Sequence, residues 1–294
     1  MFKLDHFNVD KKINSIFSLT STAKLKSLED IRVYGHVRFP DYVKKFDADA
    51  NANGFEIQFS NRAEEIAYKD GKIPEDQMWK YSINRYNFRD TWDFSHTNKI
   101  KIGCFGDSFT FGDGVESSGT YPKYLENLYQ VRSYNVGKGG SSAERIARTF
   151  AAFVKFVDID IAVITLPHIY RELFIDDYGI LVDLIPNTDM TNHHYKYIEQ
   201  YLRLHEHHQL TKLSLITNYI MDIADLKNIK VLFSTWDVPT YNLLKSIVPD
   251  NLMADIFPCD IDSKKARDLG HPGKLAHKKH AENIMREIND RAWI

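Results

Sequence analysis

Cysteine is nearly absent: Cys104 and Cys259 are the only two in 294 residues. Two thiols cannot staple a disulfide scaffold and their spacing matches no metal-ligand pattern, so both read as buried free thiols. Charge of one sign is missing too. Lys and Arg number 38 against 40 Asp and Glu, with no long block of either, which excludes the electrostatic footprint of a nucleic-acid binder. No run approaches the roughly 18 apolar residues of a membrane span. The N-terminal MFKLDHFNVDKK lacks the unbroken apolar core of a signal peptide, so the expectation is a cytoplasmic protein with no membrane partner. There is no internal repeat and no low-complexity tract. What remains, 43% hydrophobic, is long enough to bury a substantial core and suits a small neutral or mixed substrate.

The chain divides by texture. Over residues 31–93 the pattern is short and β-like, in IRVYGHVRF, FEIQF and EEIAYKDGKI, the last with an Asp70, Gly71 pair that suits a hairpin turn. Residues 1–96 therefore read as an accessory segment, partly β. From residue 97 to 294 strand-length apolar runs alternate with helical stretches: IKIGCF, TYPKYLENLYQ, RSYNV, SAERIARTFAAFVKFV, DIAVITL, KVLFSTW and PGKLAHKKHAENIMREI. That alternation implies an α/β domain whose parallel sheet is covered on both faces. Ile146, Phe150, Phe153 and Val157 recur at three- and four-residue spacing and mark a face laid on the sheet. A long insertion over residues 168–227, helical around His194 to Ala224, interrupts the alternation where open sheets bind ligands.

The stretch KIGCFGDSFTFGDGV puts Ser108 in a glycine-walled turn behind an apolar strand, at the carboxyl edge of the sheet. Serine is a poor nucleophile alone and needs a base within hydrogen-bond reach and a carboxylate to orient that base. Near the other end, ARDLGHPGKLAHKKHAEN offers Asp268 and His271, three residues apart in a turn opening the last helix, with Pro272 suited to its first turn. A loop this short lets Asp268 reach Nδ1 of His271 while Nε2 faces outward. The order Ser, Asp, His is one of those this chemistry uses.

Plainer readings compete. Ser108 is also a good helix cap. HHYKY at residues 193–197 and HEHHQ at residues 205–209 invite zinc, but without HExxH or a cysteine pair they read as a solvated face, and no metal is expected. GKGGSS lacks the full phosphate-loop pattern, because Lys138 is followed by Gly139. Trp79, Tyr81, Tyr86 and Trp92 crowd the segment before the serine strand, as core or as a carbohydrate-binding surface.

GDSFT at residues 106–110, NVGKGGSS at residues 135–142 and DLGHPG at residues 268–273 resemble the first, second and fifth sequence blocks of the SGNH, or GDSL-type, hydrolases; YSINRYNFRD also resembles the approach segment of some members. The resemblance implies a flavodoxin-like three-layer α/β/α domain, no cofactor, and ester hydrolysis with Ser108 as nucleophile, His271 as base and Asp268 as its orienter. It also implies an oxyanion hole of the Ser108 N–H, Gly140 and a third-block asparagine. Where that asparagine belongs, this chain has PHIYRE, which puts His168 or Arg171 in its place, as oxyanion donor and substrate-binding residue respectively.

The function expected is that of a serine esterase cleaving small acyl esters, including O-acetyl groups on carbohydrates, through an acyl-enzyme. Two rivals stay open: an acyltransferase using the same three residues, and a non-catalytic binding or structural protein on the same scaffold.

Overall fold

A computed structural model describes residues 55–60, 62–73, 79–84, 88–90, 99–175, 181–184, 206–260 and 265–294. First come strand β1 (Phe55–Ile57), helix α1 (Arg62–Lys69) and strand β2 (Tyr81–Ile83), with β1 and β2 paired antiparallel. Next are β3 (Lys101–Gly106), the one-turn helix α2 (Ser108–Phe111), α3 (Tyr121–Tyr129), β4 (Arg132–Gly137), α4 (Ala143–Phe153) and β5 (Ile161–Leu166). An antiparallel pair, β6 (Glu172–Ile175) and β7 (Leu181–Leu184), precedes α5 (Glu206–Lys227), β8 (Lys230–Thr235), α6 (Val238–Ile247) and α7 (Lys274–Asp290).

Strands β4, β3, β5 and β8 lie side by side in that order, all parallel. Beyond β8, the N–H groups of Met253 and Phe257 donate to the carbonyls of Phe233 and Thr235 at 2.9 and 2.8 Å, a rudimentary fifth strand. Counted within this sheet the order is 2-1-3-4 with the fifth outside, which is the flavodoxin-like arrangement. All six residues of β5 are buried, as a central strand covered on both faces must be.

Period-two alternation sorts the strand side chains into two cores. Ala162, Ile164 and Leu166 pack with Phe105, Phe233 and the helical residues Phe150, Phe153, Ile220 and Leu244; Ile161 and Val163 pack with Ile102, Cys104, Leu232, Tyr121, Leu125, Ile284 and Ile288. Helices α4, α5 and α6 thus form one layer, α3 and α7 the other. Burying one such aliphatic or aromatic side chain is worth about 1.5–3 kcal/mol. Ile146, Phe150, Phe153 and Val157 are all in the core, as their spacing predicts, although α4 itself stops at Phe153. Cys104 is fully buried, while Cys259 is only half-buried, its thiol directed at the Phe257 carbonyl.

Three expectations need correction. EEIAYKDGKI is not a hairpin: within its helix the buried residues are Glu64 and Ala67, three apart, with Ile73 buried beyond the helix end, while Ile66 and Tyr68, which carried the apparent alternation, are exposed. Gly71 (φ 68°) ends this helix in a Schellman closure, with Lys72 N–H on the Ala67 carbonyl at 2.8 Å and Gly71 N–H on Tyr68 at 2.9 Å. The insertion is not wholly helical, because residues 172–184 contribute the β6–β7 pair before α5 begins at Glu206. Pro272 stands one residue outside the last helix, whose N-cap is Gly273. IRVYGHVRF, Tyr86, Trp92, His193, His194 and His205 lie outside the described residues.

Bare glycines let α2 sit directly on the strand ends. A Cβ on Gly106 would fall 2.0 Å from Thr110 Oγ1, and one on Gly137 would fall 2.4 Å from the backbone nitrogen of Phe111. No larger residue permits this approach, and it fixes where Ser108 stands.

Candidate active site

Helix α2 begins immediately after β3, at the carboxyl edge where the strand order reverses between β4 and β5. This is the switch point at which open α/β sheets leave a crevice. The cap of α2 is Asp107, whose Oδ1 accepts from the Phe109 N–H at 3.0 Å. Ser108 is therefore the first helical residue and its hydroxyl is not consumed by capping. Its backbone N–H has no carbonyl of its own helix to meet, and among the described residues it donates to no protein acceptor.

Beside it the chain leaves β4 through a four-residue turn closed by Ser141 N–H on the Lys138 carbonyl at 3.2 Å. Gly140, the third residue, has φ 77°, the sign a type II turn demands there and only glycine adopts freely. Lys138 N–H on the Gly106 carbonyl (3.0 Å) ties this turn to the end of β3. The Gly140 N–H, like that of Ser108, meets no protein acceptor among the described residues.

Asp268 and His271 form the expected pair. Nδ1 of His271 is hydrogen-bonded to Asp268 Oδ2. The other carboxylate oxygen accepts the backbone N–H groups of Gly270 (3.1 Å) and His271 (3.0 Å), which fixes the carboxylate in its own turn. Leu269, at φ 60°, makes the turn tight enough for this. Burial works against the Asp268 anion, but the His271 ring and the two N–H groups outweigh it and bring the carboxyl down to about 2. For His271 burial likewise opposes charge. The bond to Asp268 and the negative charges of Asp113, Asp268 and Asp107 prevail and push it up to about 9.

The structure brings Ser108 and His271 to one rim, since the ring of Phe109 stands 5.5 Å from the ring of His271. The His271 ring bonds to Asp268 and not to Ser108 Oγ. A base and its nucleophile commonly close such a gap only around substrate.

Arg171 and His168 are committed to protein groups. Nη1 of Arg171 donates to Asp107 Oδ2 at 2.8 Å and to the Ser141 carbonyl at 3.2 Å, joining the Ser108 turn to the glycine turn. His168 follows β5: its Nδ1 accepts from the Tyr170 N–H at 3.2 Å, so Nε2 carries the proton of the neutral ring, 3.8 Å from Oδ1 of Asp237, the N-cap of α6. Asp237 in turn caps α6 through Thr240.

Sequence reasoning missed four residues. Asp107 is fully buried and takes Phe109, Arg171 and the Trp236 indole N–H (3.1 Å) on one carboxylate. Phe109 and Trp236 stack at 4.7 Å and 7°, making an aromatic face next to Ser108. Asp113 lies buried, with Oδ2 3.4 Å from where a Cβ of Gly139 would stand, and burial pushes its carboxyl up to about 6. Trp236 was findable, because it ends an apolar strand at the same sheet edge as Ser108. Nothing local marks Asp113.

No family model matches the chain, and no curated protein matches it. Solved structures do resemble it. The psychrotrophic esterase EstA from Pseudoalteromonas sp. is 15% identical, with 65% of this chain and 98% of that chain covered and a TM-score of 0.44. The acetyl xylan esterase Est2A from Butyrivibrio proteoclasticus is 12% identical, with 68% and 66% covered and a TM-score of 0.44. A family two carbohydrate esterase from Clostridium thermocellum is 15% identical, with 68% and 67% covered and a TM-score of 0.44.

Proposed function

We propose that this protein is a serine esterase of the SGNH type acting on small acyl esters, with O-acetylated carbohydrate as the favoured substrate class. The observation that carries the reading is the Asp268–His271 pair, held by its own turn at the rim where Ser108 emerges uncapped from β3. Ser108 Oγ attacks the ester carbonyl while Nε2 of His271 takes its proton, and Asp268 holds the ring in the tautomer that allows this. Negative charge forming on the carbonyl oxygen is met by the N–H groups of Ser108 and Gly140, both without a protein acceptor among the described residues. Donors preorganised in this way are worth roughly 3–4 kcal/mol each. His271 then protonates the leaving alcohol. Water repeats the sequence on the acyl-enzyme, releasing the acid and the free serine.

Arg171, fixed between Asp107 and the Ser141 carbonyl next to Gly140, serves as the substrate-binding residue of the third block. His168, on Asp237, supplies the alternative donor there. The Phe109–Trp236 face supports a planar or sugar-like leaving group, as aromatic faces stack on such rings.

A chromogenic short-chain ester tests the reading. Wild-type protein should hydrolyse it, and Ser108→Ala should lose activity by about a thousandfold or more. Equal rates would remove Ser108 from the mechanism. Product formed only after an alcohol acceptor is added would make the protein an acyltransferase.

A further inference from the structure

Glu64, Tyr81, Gly114 and Arg267 close a ring of hydrogen bonds. The Tyr81 hydroxyl donates to Glu64 Oε1 and accepts from the Gly114 N–H at 2.8 Å; the Gly114 carbonyl accepts from the Arg267 N–H at 2.9 Å; and Nε of Arg267 returns to Glu64 Oε1 at 2.6 Å. Its members come from three places. Glu64 and Tyr81 belong to the accessory segment, Gly114 to the loop that follows α2, and Arg267 to the loop in which Asp268 is the next residue.

We propose that the accessory segment is part of the catalytic apparatus, with Glu64 and Tyr81 as positioning residues that hold the Asp268–His271 loop against the loop that follows Ser108. The inference rests on the serine esterase reading of that site. Arg267 spends two further donors on the same segment, Nη1 on the Trp79 carbonyl (3.0 Å) and Nη2 on the Gln58 carbonyl (2.6 Å), with its guanidinium 4.5 Å over the Trp79 ring. Both side chains of the Arg267–Glu64 pair are fully buried. Removing one partner of such a pair leaves an uncompensated buried charge, so the contact is not an optional one. On the other side of the ring, Arg89 of the same segment lies 4.4 Å over the Tyr81 ring and donates to the carbonyls of Phe111, Gly112 and Val115. Those carbonyls end α2 and begin its loop. Gly114 brings the two loops into backbone contact: at φ 73°, a Cβ there would fall 2.6 Å from that of Ala266 and 3.0 Å from Asp268 Oδ1. Burial and the Glu64 carboxylate both push the Tyr81 phenol upward, so it stays protonated as the donor the ring requires.

Tyr81→Phe deletes one oxygen and keeps the ring stacked on Phe111, 5.8 Å away. It leaves in place the side chains that face His271, which are Asp268 in its own turn, Asp113 beyond α2, Asp107 in the nucleophile turn, the Phe109 ring and His277, and it reaches Asp113 only through Ser60, which donates to the Tyr81 hydroxyl at 3.3 Å and bonds Asp113. The test titrates the His271 ring by NMR in wild type, Tyr81→Phe and Glu64→Gln, alongside kcat and KM on the short-chain ester. Expected in folded Tyr81→Phe is a midpoint that drops from about 9 toward the ordinary histidine value as the Asp268 bond loosens. Its kcat should fall on the order of tenfold to a hundredfold with KM nearly unchanged, the size of loss that a small misplacement produces. An unchanged midpoint together with an unchanged kcat overturns the inference. Wild-type protein inert toward esters would sink the esterase reading instead, and the titration would still decide the positioning role. Should Glu64→Gln fail to fold, Tyr81→Phe decides alone.

Discussion

At the scale of single residues, the proposed chemistry depends on how three carboxylates surround one imidazole. His271 is held near 9 because Asp268, Asp113 and Asp107 together outweigh the burial that opposes its charge. The base must be neutral to accept a proton, so the acid limb of kcat/KM should lie well above 6.5, moving toward 9, and a pH–rate profile checks this. A limb at the unperturbed histidine value would mean that those charges do not reach the ring. Asp268→Asn should keep the turn through its remaining side-chain oxygen but lose the charge, lowering kcat by roughly a thousandfold to ten-thousandfold. The same variant should shift the acid limb downward, which steady-state rates across pH would reveal. Ser108 was legible as a candidate because it sits in a glycine-walled turn at the end of an apolar run, and Asp268 and His271 because they stand three residues apart in a short turn before the last helix. His168 and Arg171 were legible only as candidates. Which neighbour a long side chain takes is a tertiary matter, and here Arg171 takes Asp107 while His168 takes the Tyr170 N–H with Asp237 3.8 Å from its other nitrogen.

At the scale of elements, close backbone approach places Ser108. Gly137→Ala would put a methyl 2.4 Å from the Phe111 nitrogen and 2.7 Å from the Thr110 carbonyl carbon, against backbone that cannot rotate away. We expect a loss of about 1–3 kcal/mol in urea unfolding, typical of overpacking, together with reduced ester turnover as α2 is displaced. Unchanged stability and turnover would show that α2 moves freely. The strands and helices of the sheet were readable because each has one dominant period, two or 3.6. Helix α1 was not, since its buried face carries Glu64 beside Ala67, and a buried glutamate makes no apolar stripe. The β6–β7 pair escaped for another reason: Asp183, on β7, bonds the Ser142 N–H (2.9 Å) and Arg145, a long-range choice that no local pattern announces.

At the scale of the whole molecule, the layer of α3 and α7 hides an unusual polar group. His280 is fully buried against Tyr121 and Phe257, with ring centroids 4.9 and 4.3 Å away, and among the described residues neither ring nitrogen has a partner. Burial lowers it to about 3. A group whose folded value lies below its unfolded value stabilises the protein fully above the unfolded value, about 6.5, and less as pH falls toward the folded one. His280 should therefore give unfolding free energy a slope of up to about 1.4 kcal/mol per pH unit between roughly pH 6 and 4.5. His280→Leu, measured by urea unfolding across that range, should flatten the slope and cost little at neutral pH, because it removes both unpaired nitrogens at once. An equal slope in the variant would mean that His280 finds a proton partner in the folded state.

All of this converges on one hydroxyl activated by one distant pair. The most direct measurement is mass spectrometry of the protein after reaction with a fluorophosphonate, in wild type, Ser108→Ala and His271→Ala. Expected is a single adduct on Ser108 that forms rapidly in wild type, is absent in Ser108→Ala and is strongly slowed in His271→Ala. No adduct in wild type, an adduct on another residue, or equal labelling without the imidazole would contradict it.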